Sequence, residues 1–191
     1  MSRLTIRPVT PSRWADLESL FGPSGAYSGC WCMYLRVPSK TFDKNCVGGG
    51  AANRKALKAI VERNDQPGLI AYRNREPVGW VAVAPREEYG RVLRSPVHKP
   101  IDDDGPVYSI SCFFVASGTR GEGVADALLE AAVAFAGKKG AKLVEAYPSD
   151  PGDGRRPAAD MWRGAVGQFE RAGFKQAARR RPARPIMRKY L

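Results

Sequence analysis

The chain has 191 residues, 43% hydrophobic and 26% charged, a composition that describes one soluble globular domain with a sizeable core. No apolar run is long enough to span a bilayer, "MSRLTIRPVT" lacks the apolar core of a secretory signal, and the four cysteines are too few and too scattered for a disulfide scaffold, so a cytoplasmic location is expected. With 31 Lys and Arg against 19 Asp and Glu, the net charge of +12 should gather anions: cofactor phosphates, nucleic acid or acidic membrane.

In chain order, "LTIRPV" alternates as a half-buried strand, and "PSRWADLESLF" places Trp14, Leu17 and Leu20 or Phe21 on one helical face. The stretch from Gly22 to Ala51 holds Gly, Pro and Ser throughout and shows no sustained period. It is expected to be loop with short helical pieces. Asn53 can cap a helix over "RKALKAIVERN", with Ala56, Leu57 and Ile60 facing inward. "GLIAYRN" and "PVGWVAVAP" read as a hairpin, joined by a polar turn from Asn74 to Glu76. A charged, Pro-bearing connection from Arg86 to Pro106 leads to the strand "VYSISCFFVA". A helix then starts at Gly123, "AKLVEAYP" reads as another strand, and a second irregular insert ends near Gly164. "AVGQFERAG" is a short helix with Gly173 as its C-cap, and the tail supplies two last strands. The order β-α-loop-α-β-β-β-α-β-α-β-β implies an α/β (α+β) domain in which helices cover a mixed sheet.

Between the strand ending at Ala116 and the helix from Gly123 lie Arg120, Gly121 and Gly123. Glycines there let the backbone curl so that several N–H groups point outward together, and the helix adds the positive end of its dipole. Such a nest suits a phosphate, with Arg120 as a planar charged donor beside it. The chain has no Gly-Lys-Ser/Thr, so the turn is not a P-loop, and no G-x-G-x-x-G followed by an acidic residue, so it is not a dinucleotide fingerprint.

"VASGTRGEGVADALL" resembles the acyl-CoA-binding motif of the GNAT superfamily of N-acyltransferases, Arg/Gln-x-x-Gly-x-Gly/Ala, through Arg120, Gly123 and Ala125. "FERAGFKQAARR" is similar to the superfamily's later motif, an aromatic residue four positions before a Gly-Phe pair: Phe169, Gly173 and Phe174. The resemblance implies one domain over residues 1–191, with loop insertions near 22–52, 85–106 and 148–163. Its fold would be a mixed, largely antiparallel sheet with splayed central strands, flanked by helices. The activity implied is transfer of an acetyl group from acetyl-CoA to a primary amine by direct attack in a ternary complex. The resemblance places the cosubstrate on Phe113, Phe114 and Val115, whose main chain would pair with the pantetheine arm, and on Arg120, Gly121, Glu122, Gly123, Val124 and Ala125 around the pyrophosphate. An N–H near Val115 would hold the oxyanion. The loop with Trp31 and Tyr34 would wall the acceptor site, although packing in the core is an equal reading of both aromatics.

Two departures concern proton transfer. Phe169 stands where many members of the superfamily carry a tyrosine that protonates the leaving thiolate, and Ser109 and Ser111 stand where some carry a basic glutamate. Glu145 and Tyr147 share one face of the strand expected to line the gap and are the substitute acid-base pair, with a structural hydrogen bond as the competing reading. Cys30, Cys32, Cys46 and His98 lack the paired spacing of a zinc site, so no metal is expected. Residues 171–191 hold eight Lys and Arg and no acid, which keeps a nucleic-acid-binding or acyl-CoA-binding module without catalysis as the alternative. The acceptor, a small molecule or a protein lysine, is unspecified. Asp102 to Asp104 and Glu87 with Glu88 are acid clusters that would draw a cationic amine. No membrane partner is expected, and a homodimer is left open.

Overall fold

The computed structural model describes residues 4–102, 105–150, 152 and 161–191. Its elements are β1 (Thr5–Pro8), α1 (Trp14–Phe21), α2 (Ser39–Glu62), β2 (Gly68–Arg73), β3 (Glu76–Pro85), α3 (Gly90–Leu93), β4 (Val107–Val115), α4 (Val124–Lys138), β5 (Leu143–Ala146), α5 (Val166–Arg171), β6 (Lys175–Arg179) and β7 (Pro185–Tyr190). Among the described residues the strands form one seven-stranded sheet in the order β1-β2-β3-β4-β5-β7-β6. Its pairings are antiparallel except β4 with β5.

Period-two patterning puts a core on each face of this sheet. Along β3, Val81 and Val83 point to the side where α4 lays Leu128, Leu129, Ala132 and Ala136, while Trp80 and Ala82 point to Leu17 and Phe21 of α1 and Leu57 and Val61 of α2. Each fully buried leucine contributes about 1.5–3 kcal/mol of apolar burial. The β2–β3 hairpin closes through Asn74 and Arg75, both at positive φ, the backbone that a tight two-residue turn between twisted strands demands.

The expected element order holds apart from the four-residue α3, which lies in the stretch expected to be a connection, and two further corrections fall between residues 22 and 63. First, the stretch read as loop is helical from Ser39, and α2 breaks at Val47–Gly50, where the backbone leaves helical values and three glycines in a row take positive φ. The broken, glycine-rich middle hid the helical period. Second, Asn53 is not a cap. It lies inside the helix, fully buried, and its Nδ2 donates to the Gly29 carbonyl at 2.9 Å. The Gly29 and Gly50 backbones touch there: a Cβ on Gly29 would lie 2.6 Å from the Gly50 nitrogen. The insertion expected over residues 148–163 falls partly outside the described residues, as do Asp103 and Asp104 of the acidic cluster. No described helix is long and apolar enough to cross a membrane.

Candidate active site

The parallel contact of β4 with β5 is short. It runs from Val107↔Leu143 to Ile110↔Ala146, after which β5 ends and β4 continues to Val115 paired on its β3 side only. At this point the β3–β4 register slips: Ala82 faces Cys112 and Val83 faces Ile110, leaving Ser111 as an extra, bulged residue. With Ala116 N–H donating to the Val78 carbonyl at 3.0 Å, antiparallel alternation turns the polar groups of Phe113 and Val115 away from β3 and into the split. The Phe113 N–H is taken there by the Trp162 carbonyl at 2.6 Å, and the Val115 carbonyl accepts from Arg120 Nε at 3.2 Å. The expected pairing site at Phe113 is therefore occupied by the chain itself.

Beyond the split, Gly121 and Gly123 take φ of +80° and +76°, and no side chain caps the first turn of α4. A Cβ at either glycine would meet nothing within 4 Å, so the left-handed backbone rather than crowding demands glycine. Among the described residues the first-turn N–H groups of α4 have no side-chain acceptor, at the positive end of a 15-residue helix, where an anion could bind.

The split and the turn open into a cavity of about 780 Å³. Phe113, Phe114, Val115, Arg120, Gly121, Gly123, Val124 and Ala125 all line it, which brings together all but one of the residues assigned to the cosubstrate. The exception is Glu122, which is not on the cavity wall and pairs with Arg73. At the other end the wall comes from distant parts of the chain: Tyr34, Leu35 and Phe42 from the early segment, Met161, Trp162 and Gly164 from the late one. Tyr34 meets Phe42 and Trp162 edge to face, with centroids 5.2 and 5.1 Å away. Trp31 does not reach the cavity. It is 4% exposed, stacked on Trp14 and edge-on to Phe21, and its Nε1 donates to the Gly49 carbonyl at 3.3 Å. The core reading holds for Trp31, whereas Tyr34 is on the wall.

Glu145 and Tyr147 are also off the cavity, so the acid-base reading of the pair is corrected. Both are buried and fully occupied. The Tyr147 hydroxyl donates to Glu145 Oε1 at 2.7 Å, which leaves Ser109 Oγ, 3.0 Å away, to donate to the phenol oxygen. Arg188 Nε donates to Glu145 Oε2 at 2.8 Å, Arg86 lies 3.7 Å from the same oxygen, and Arg188 grips Asp102 with its other two nitrogens at 3.0 and 2.8 Å. Burial, with the Glu145 charge beside it, pushes the Tyr147 phenol well up and keeps its proton in place. The second acidic cluster is engaged too, since Glu88 pairs with Arg36 at 2.5 Å.

All four cysteines line the cavity as free thiols. Cys32 Sγ sits 3.5 Å from Cys112 Sγ and accepts from Trp80 Nε1 at 3.0 Å, and burial pushes its thiol well up, so it stays a protonated, weakly polar wall group. His98 lies elsewhere, against Arg163 and the Tyr147 ring; burial and the Arg163 charge lower its pKa to about 3, so it is neutral. Among the described residues no three His, Cys, Asp or Glu stand in metal-binding proximity. Phe169 is fully buried between Phe113 and Phe174. Sequence reasoning missed its neighbour Gln168, which lines the cavity with a buried Nε2 that has no partner among the described residues. Nothing local distinguishes Gln168 from any polar helix residue.

Several residues of the basic tail are engaged by other parts of the protein, partly at its surface. Arg179 pairs with Asp150 at 2.5 Å, Arg180 donates to the Lys99 carbonyl at 2.5 Å, Arg184 to Ser149 Oγ at 2.8 Å, and Lys189 to the Ala172 carbonyl at 2.7 Å.

The model of the acetyltransferase (GNAT) family matches residues 36–163. No curated protein matches the sequence significantly. Among solved structures the chain is similar to PaiA N-acetyltransferase from Thermoplasma acidophilum in complex with coenzyme A, at 13% identity and a TM-score of 0.56 over 99% of both chains. It is similar to ribosomal-protein-alanine N-acetyltransferase from Brucella melitensis at 18% identity and 0.56, over 98% of this chain and 99% of that one. Histone acetyltransferase HPA2 and related acetyltransferase from Corynebacterium glutamicum gives 18% and 0.58, over 100% of this chain and 97% of the other. What is shared at these identities is the fold.

Proposed function

The chain belongs to the acetyltransferase (GNAT) family, and from that premise we propose that it moves an acetyl group from acetyl-CoA to a primary amine by direct attack in a ternary complex. The observation that carries this reading is the continuity of one cavity from the glycine turn and uncapped end of α4, past the split between β4 and β5, to an aromatic wall. The left-handed turn and Arg120 suit the pyrophosphate, and a planar guanidinium beside N–H groups is a strong anion site. Arg120 now spends its Nε on the Val115 carbonyl, a bond that it would exchange for the phosphate. The Val115 N–H, turned into the split, would polarise the thioester carbonyl and hold the oxyanion as the C–N bond forms.

The nitrogen then gives up one proton to solvent, the C–S bond breaks and the thiolate takes its proton from solvent, because the usual aromatic slot holds Phe169 and Tyr147 is sequestered. A thiol pKa of about 8.5 makes that step easy near neutral pH. The unpartnered Gln168 amide supports the reading, since a buried donor costs about 1–3 kcal/mol until an acceptor such as a thioester or amide carbonyl arrives. The related proteins named N-acetyltransferases, one of them holding coenzyme A, support the same donor and bond type. The internal bonds of Arg179, Arg180, Arg184 and Lys189 weigh against the nucleic-acid-binding alternative.

Calorimetric titration with acetyl-CoA tests the donor site. The wild type should bind, and Arg120→Ala combined with Gly123→Val should bind at least roughly a hundredfold more weakly, from the lost charge-assisted bond and strain of about 1–3 kcal/mol in a β-branched residue at positive φ. Equal affinities would remove the donor assignment.

A further inference from the structure

The aromatic wall at the acceptor end is already charged from behind. The Arg91 guanidinium lies 4.1 Å from the Tyr34 ring centroid, and Arg163 lies 5.5 Å from the same ring and 4.5 Å from that of Trp162. An aromatic surface attracts an ammonium through the negative face of its rings, and here two of the protein's own cations stack against the wall's rings. Arg163 is 7% exposed, its Nε has no partner among the described residues, and its hydrogen-bonded neighbour at 3.3 Å is the neutral His98. Among the described residues no carboxylate pairs with it to cancel its positive field. Around Tyr34, the cavity surface is made of Leu35, Phe42, Met161 and the protonated thiols of Cys30 and Cys32. Among the described lining residues the carboxylate is Asp126, in the first turn of α4 at the donor end, and it faces Arg171 at 3.6 Å. Tyr27 on the cavity is largely exposed, and the carboxylate near this end is Asp43, off the wall, whose charge reaches the Cys46 thiol.

A second positive charge on the acceptor would lose its water here and meet two guanidiniums in place of a carboxylate. A flat apolar body, in contrast, would bury its surface against the aromatic edges and the sulfurs. We infer that the acceptor of this site is a small primary amine carried on an apolar, aryl-sized group and bearing no second positive charge, rather than a polyamine or a lysine-rich segment. The inference rests on the acetyltransferase reading. It also supplies part of what the missing base leaves undone, because an apolar cavity beside cations favours the neutral, nucleophilic form of the amine over the ammonium.

The test is steady-state CoA release by the full chain at one pH, with phenethylamine and benzylamine set against spermidine and a lysine-containing peptide. The apolar amines should exceed the polycationic ones by roughly tenfold or more in kcat/KM, the scale on which a shaped apolar pocket discriminates. Phe42→Glu, which puts a carboxylate on the wall, should narrow that ratio by roughly tenfold or more. If Phe42→Glu fails to fold, Arg163→Met, matched in length, should shift the ratio in the same direction. Polycationic acceptors that equal or beat the apolar ones in the wild type would overturn the inference and leave the acetyltransferase reading standing. CoA release that no amine of either set accelerates would overturn both.

Discussion

The split between β4 and β5 and the buried cluster around Glu145 grow from the same pair of strands, yet they hold polar groups in opposite ways. Around Glu145 the carboxylate and the phenol are both engaged: Ser109 gives to Tyr147, Tyr147 to Glu145, Arg188 to Glu145 and Asp102, while Arg86 beside them keeps Nε and Nη1 without a hydrogen-bond partner among the described residues. At the split, among the described residues, no side chain caps the α4 end and Gln168 holds an Nε2 with no partner. Residue types familiar from acid-base chemistry sit in the closed cluster, and groups with little intrinsic reactivity sit in the open one. Readiness for a ligand here follows from unfilled hydrogen-bonding capacity on the wall of a cavity, which Gln168 has and Arg86 lacks, rather than from the nature of the side chain.

The largest effect that would sharpen this contrast is on stability. Glu145→Ala leaves Arg86 buried without its carboxylate and should cost about 3–5 kcal/mol, a fall of roughly 10 °C in melting temperature for a chain of this size. Acetyl-CoA affinity, measured by calorimetry below the transition, should stay within roughly threefold. A Glu145→Ala protein with wild-type melting and impaired turnover would reverse the assignment of the two regions.

Tyr147→Phe comes next. It removes a bond to a charged group and should cost about 1.5–3 kcal/mol in denaturant unfolding, with turnover per folded molecule unchanged. Were Tyr147 a proton donor to the thiolate, turnover would instead fall by roughly 10² to 10⁴. The smallest effect belongs to the open region. Gln168→Leu removes a buried Nε2 that has no partner among the described residues, so melting temperature should hold or rise slightly, while kcat/KM falls roughly tenfold through loss of the proposed contact to the cosubstrate. Unchanged kinetics in Gln168→Leu would show that the open amide serves no ligand.

Much of the molecule was readable where structure is decided locally. The glycine turn at Gly121 and Gly123, the hairpin through Asn74 and the apolar period of α4 are set by neighbours within a few residues, and each stands where its pattern placed it. The helix from Ser39 was not readable, because glycines interrupt it before its period can repeat and its wall residue Phe42 faces a cavity instead of a sheet. Nor could the sequence say which way Glu145 and Tyr147 face, since that depends on pairing with β7, about 40 residues later, and on the bulge at Ser111. Trp31 and Tyr34, three positions apart, divide between core and cavity through contacts with Trp14, Phe42 and Trp162 that only the fold creates.

The seam between Gly29 and Gly50 bears on how this protein can diverge. The early segment is fixed to α2 there by backbone against backbone and by the Asn53 amide, and to α1 by the core packing of Trp31, none of which uses the side chains on the cavity wall. Selection can therefore exchange Leu35, Phe42 or Met161, residues that set the volume and polarity of the acceptor end, without releasing the segment that presents the first two. The donor end, held by its own glycines in a different stretch of chain, is untouched by such exchanges. Lineages that share the donor turn and this seam are free to part ways in the amines that they accept.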